Sequence, residues 1–71
     1  MKFVVCISNK SLEASLEKRK VYRVVDESKI NDGLLSIIDD SGSNYYYPLD
    51  FFIPLPESNE FEKQFESHLD N

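Results

Sequence analysis

A single cysteine in a chain of 71 residues leaves this sequence little but its apolar side chains to hold a fold together. With Cys6 alone, no internal disulfide can form and no zinc site can be built, so the usual staples of small domains are missing. Ordering such a chain costs on the order of 100 kcal/mol at roughly 1.5 kcal/mol per residue, and apolar burial at about 25 cal/mol per Å² barely offsets that. One core of modest stability is expected, with no room for a second. The supply of Val, Ile, Phe and Tyr is that of a folding chain.

The lone cysteine fits a reducing compartment. The run Phe3-Val4-Val5-Cys6-Ile7, preceded by one Lys and ended by Ser8, is far shorter than a signal-peptide core or the ~20 residues of a membrane span. A cytoplasmic location without a membrane partner is therefore expected. The net charge of −5 is unevenly spread: residues 1–29 carry seven basic against four acidic side chains, a balance of +3, whereas residues 30–71 carry only Lys63 against nine acidic ones, a balance of −8. A mean acidic field argues against nucleic acid except at a local basic patch. The acidic end could equally lie against the basic first third.

Apolar alternation defines most elements. Phe3 to Ile7 reads as a strand with Phe3, Val5 and Ile7 on one face, and those three are expected in the interior. Residues 10–19 read as a long loop with room for one helical turn, since Leu12 and Leu16 are four apart. Val21-Tyr22-Arg23-Val24-Val25 is a second strand, with Arg23 outward and Tyr22 and Val24 buried. Asn31-Asp32-Gly33 suits positive φ angles before a third strand, Leu34 to Ile38, whose Leu35 and Ile37 face inward. Asp40-Ser41-Gly42-Ser43 turns the chain into a fourth strand, Asn44 to Tyr47, stopped by Pro48. Leu49 to Phe52 suits one 3₁₀ turn, and Ile53, beside Pro54 and Pro56, permits only a short edge strand. Beyond Pro56, Asn59 with Glu62 suits a helix start, and Phe61, Phe65 and Leu69 form a stripe every four residues. Residues 1–56 thus form the body, and residues 57–71 an acidic, amphipathic C-terminal helix or tail.

The fold expected from these parts is mainly β, a small five-stranded SH3-like barrel with a C-terminal helix. Lys20-Val21-Tyr22-Arg23-Val24, Ile37-Ile38-Asp39-Asp40-Ser41-Gly42 and Tyr47-Pro48 followed by Phe51-Phe52 resemble the signatures of small bacterial and phage SH3-like proteins of unknown function. The resemblance spans residues 2–56 and implies a fold without an activity. The chain departs from the pattern at Arg19, where a Gly commonly precedes the K-x-Y segment.

Catalytic chemistry finds no support. His68, the only histidine, lies in the acidic tail, and Cys6 in an apolar strand reads as a small buried hydrophobe. Asp39 and Asp40, as neighbours, face opposite sides of an extended chain and read as turn residues; with Asp50 they lack the spacing of a calcium loop. Gly33 and Gly42 are too few for a phosphate-cradling loop. No catalytic residue, metal, cofactor or small-molecule substrate is expected.

Two binding surfaces remain. Tyr45-Tyr46-Tyr47 must leave some aromatic surface outward, and Tyr45 and Tyr47 with Phe51, joined by Phe61 and Phe65 of the tail, make a candidate peptide- or protein-binding surface. The tail stripe could also pair two copies of the chain. The alternative is a single-stranded nucleic-acid-binding barrel using Lys18, Arg19, Lys20 and Arg23 with a nearby tyrosine for stacking.

Overall fold

A computed structural model of the chain describes residues 1–57. It holds five strands: β1 (Phe3–Cys6), β2 (Val21–Asp26), β3 (Leu34–Ile38), β4 (Asn44–Pro48) and β5 (Phe52–Pro54). One 3₁₀ turn, Ile30–Asp32, precedes β3 and a second, Leu49–Phe51, separates β4 from β5. The strands form a single antiparallel sheet in the order β4-β3-β2-β1-β5. The helix expected in residues 57–71 lies almost wholly outside the described residues, as do Phe61, Phe65 and His68.

Turn chemistry sets the connections. Gly33 (φ 76°) and Gly42 (φ 85°) both adopt the left-handed region, which only Gly enters without steric cost. The β3–β4 turn is closed by the Gly42 N–H donating to the Asp39 carbonyl at 3.0 Å and the Asp39 N–H to the Ser43 carbonyl at 2.9 Å. In β2 the pairing with β3 slips between Val24 and Asp26, a bulge that leaves Val25 unpaired and strengthens the local twist.

The interior lies on one face of the sheet. Val4, Cys6, Tyr22, Leu35, Ile37, Tyr47 and Phe52 are buried there, and Leu16 reaches them from the first loop with no exposed surface. Leu12, Val24, Ile30, Leu49 and Phe51 are partly buried against them. Leu16 sits at the end of the single helical turn expected in this loop: its N–H donates to the Leu12 carbonyl at 3.0 Å, and Asn9 Nδ2 donates to the Leu16 carbonyl at 2.9 Å.

One expectation is overturned. Val4 and Cys6 of β1 join the core cluster, whereas Phe3, Val5 and Ile7 lie on the other face; Ile7 is 49 % exposed there, while Phe3 is buried as expected, at 3 %, but outside that cluster. Register explains the reversal. Phe3 pairs with Arg23 and Val4 with Tyr22, and paired residues of an antiparallel ladder lie on the same face. Arg23 must face away from the core, so Phe3, Val5 and Ile7 go outward with it. Within β1 the run is apolar on both faces and alternation carries no information.

Arg19, where the resembling pattern has Gly, adopts φ 68°. The left-handed region costs an L-residue with a Cβ roughly 1–2 kcal/mol, partly offset in Gly by its greater freedom when unfolded. Arg19→Gly is therefore expected to raise stability by about 0.5–1 kcal/mol, read as a higher urea midpoint at unchanged slope. An unchanged or lower midpoint would contradict the cost assigned to this backbone.

Candidate functional site

Strand β4 forms one edge of the sheet, and no strand lies beyond it among the described residues. Its register with β3 pairs Ile38 with Asn44, Ile37 with Tyr45, Ser36 with Tyr46, Leu35 with Tyr47 and Leu34 with Pro48. Two hydrogen bonds frame this ladder, Asp39 N–H to the Ser43 carbonyl at one end and Leu49 N–H to the Gly33 carbonyl, at 2.8 Å, at the other. Hydrogen-bonded pairs alternate along an antiparallel ladder. Tyr45 and Tyr47 therefore turn their backbone groups toward β3, and Asn44 and Tyr46 turn theirs toward the open edge. Pro48 has no N–H to offer, so it bounds the edge.

The three tyrosines have separate roles. Tyr47 is buried, and its hydroxyl donates to Asp39 Oδ2 at 2.6 Å; it belongs to the core rather than to a surface. Tyr46 lies on the outer face, where its hydroxyl donates to Asp26 Oδ2 and Lys29 Nζ stands 4.8 Å from its ring centroid. The Tyr46 hydroxyl, followed by the Ser28 backbone and side chain, holds the Asp26 carboxyl below its usual pKa. Tyr45 is 60 % exposed, and its hydroxyl has no hydrogen-bond partner among the described residues. Phe51 is half-buried against the core and its carbonyl accepts the Ile7 N–H at 2.7 Å, so it supports β1. Of the sequence-derived aromatic set within the described residues, Tyr45 alone presents a free ring.

The basic residues do not gather into one surface. Lys20 and Arg23 line an open groove of about 420 Å³ together with Val21, Ile38, Asp39 and Asp40, where β2 and the β3–β4 turn part. Lys20 Nζ is paired with Asp40 Oδ1 at 2.6 Å, and this hydrogen bond raises the lysine pKa. The Tyr22 hydroxyl donates to the same oxygen at 3.0 Å and accepts the Glu17 N–H at 2.7 Å; burial is the largest influence pushing Tyr22 up to about 12. Arg23 stacks its guanidinium 5.4 Å from the Phe3 ring centroid. Lys18 and Arg19 are exposed in the preceding loop. A single strand entering the groove would meet two carboxylates and a lysine already neutralised. Residues 1–57 as a whole carry seven basic and nine acidic side chains, a balance of −2.

Asp39 and Asp40 diverge as their adjacency requires. Asp39 is buried and accepts bonds from Ser41 N–H at 2.9 Å, the Ser41 hydroxyl and Tyr47. Burial, the largest single influence, pushes the Asp39 carboxyl up, but the bonds from Ser41 and Tyr47 together outweigh it and leave it below its usual value. Cys6 is fully buried, and that burial pushes its thiol pKa up, the opposite of what a nucleophile needs. No group of three or more metal-ligating side chains converges among the described residues, and none of their helices is long and apolar enough to cross a membrane.

The outward backbone of Asn44 and Tyr46 is the feature that a reading of side chains missed. The turn residues could have disclosed it, because a hairpin closed at Asp39 and Ser43 fixes which β4 residues pair inward. No protein-family model, curated protein or solved structure matches this chain.

Proposed function

We propose that this chain is a small, cytoplasmic SH3-like barrel that works as a protein-interaction module, taking an extended peptide along β4. The strand order β4-β3-β2-β1-β5, the long first loop and the 3₁₀ turn between β4 and β5 support the barrel reading. The peptide reading rests on one observation: the backbone of Asn44 and Tyr46 points to an open edge beside the exposed ring of Tyr45. A peptide adding there gains main-chain hydrogen bonds for affinity and an aromatic shelf for side-chain selection. Edges left open this way are usually blunted by charge or by Pro. Here Pro48 closes only one end, and none of the five β4 residues is charged.

The test uses a random dodecapeptide library displayed on phage and selected against the full chain. Tyr45→Ala should weaken the selected peptides about tenfold or more, the usual cost of truncating an aromatic anchor, while leaving the unfolding free energy from urea denaturation within about 0.5 kcal/mol of the parent, as for an exposed site. Failure to select any peptide, or peptides indifferent to Tyr45→Ala, would overturn the reading.

A further inference from the structure

The rim of β4 offers main chain and one aromatic ring, and little else. Asp26, Ser36 and Tyr46 form a row across β2, β3 and β4. Along that row the Tyr46 hydroxyl reaches back past the small side chain of Ser36 to donate to Asp26 Oδ2, and Lys29 Nζ stands 4.8 Å from the ring centroid. Tyr46 is thus drawn away from the rim and does not shield its own outward N–H and carbonyl. On the opposite face Tyr45 is 60 % exposed. The strand Asn44–Pro48 carries no charge, so an identical strand can approach it without like charges meeting.

We propose that a second copy of this chain pairs along this edge, β4 against β4, antiparallel about a two-fold axis that passes between the two Tyr45 residues. The inference rests on the open edge that the peptide reading uses, and it names one extended segment that fits there. Register decides the alignment. Asn44 of one protomer lies opposite Tyr46 of its partner, and because both turn their backbone groups outward, each such pair exchanges both of its hydrogen bonds. Tyr45 then faces Tyr45 in a non-hydrogen-bonded pair, with Cα atoms about 4.5 Å apart, and the two exposed rings cover each other. A shift that sets Tyr46 opposite Tyr46 brings Asn44 opposite Pro48, whose missing N–H leaves the Asn44 carbonyl without a partner. The two-fold closes the contact, so it yields a dimer. The other edge of the sheet, β5, is three residues long and ends in Pro54, which stops the pairing from running on into a fibre. So short a ladder buries little area, so the dimer is weak, comes apart on dilution and competes with any peptide for the edge.

The experiment is sedimentation equilibrium of the full chain over about a hundredfold range of concentration, where the mass should rise from monomer to dimer. Tyr45→Lys and Tyr45→Glu each set like charges opposite one another across the axis, and each should weaken the dimer ~10-fold or more while leaving the urea midpoint near the parent's, as at an exposed site. Mixed in equal amounts, the two variants should pair with each other, because opposite charges then meet. Neither misfolding nor contact through another surface would produce that rescue. A chain that stays monomeric across the range while selected peptides still bind would overturn the self-pairing and leave the peptide reading standing; a monomer that also takes no peptide would end both. A dimer indifferent to the Tyr45 charges, or a mixture of the variants that does not re-form one, would equally overturn the proposal.

Discussion

Leu16→Ala is expected to cost about 2–5 kcal/mol, the range for deleting a fully buried leucine side chain whose surroundings relax only in part. A domain of this size holds roughly 4–10 kcal/mol in total, so the variant should lose a large share of its stability and unfold at a much lower urea concentration than the parent. Leu16 has no exposed surface although it belongs to a loop between strands. The loop is tied on both sides of it: Asn9 holds its carbonyl, and the Asp40 N–H donates to the Ser15 carbonyl at 3.0 Å. Residues 9–19 therefore act as a lid on the open side of the core. Leu12→Ala, at a partly buried position, should cost about 1–2 kcal/mol, less than half as much, because fewer contacts are lost. Urea denaturation of both variants checks the ranking; equal and small losses would mean that the loop is a mere connection.

Asp39→Ala is expected to destabilise by about 2–4 kcal/mol, because it removes the acceptor of a buried tyrosine hydroxyl and of the turn at Ser41 in one step. Tyr47 would lose its carboxylate acceptor and keep only the Ser15 hydroxyl beside its own. Asp39→Asn, which keeps one acceptor oxygen, should fall between the parent and the alanine variant. The pH dependence follows from the lowered carboxyl pKa. A folded-state value below the unfolded one means that the carboxylate's contribution is complete above the unfolded value of about 3.9 and is lost as pH falls through the folded one. The parent should therefore lose stability below about pH 4, and Asp39→Asn should remove Asp39's share of that loss. An acid limb identical in parent and asparagine variant would contradict the role given to Asp39.

The sequence disclosed the sheet more fully than the site, for physical reasons visible at single residues. Two strands were legible: Arg23 fixed the face of β2, and Leu35 and Ile37, two apart, were placed inward in β3, where both are fully buried. The turns were legible because Gly33 and Gly42 stand where positive φ is needed, and Pro48 stopped β4 as its missing N–H requires. β1 was read on the wrong face because five apolar residues in succession carry no period of two, and only pairing with Arg23 decides between the alternatives. Leu16 was hidden for a related cause, since two leucines four apart do not reveal that a loop folds over the core.

The site shows the same division. Tyr45 was found as an aromatic outside the core. Tyr47 was placed with it although the ring is buried, because Tyr-Tyr-Tyr gives no alternation and the deciding partner, Asp39, lies eight residues away. The basic cluster of Lys18, Arg19, Lys20 and Arg23 looked continuous along the chain. Tertiary contacts dispersed it, giving Lys20 to Asp40 and laying Arg23 over Phe3.

Amide hydrogen exchange at Tyr46, with and without a peptide selected on the parent protein, probes the working edge most directly. The Tyr46 N–H points away from β3, whereas those of Tyr45 and Tyr47 are spent within the hairpin. Saturating peptide should slow Tyr46 by ~10-fold or more and change Tyr45 and Tyr47 far less. Protection spread evenly over all three amides, or confined to residues outside β4, would show that the open edge is not where this protein takes its partner.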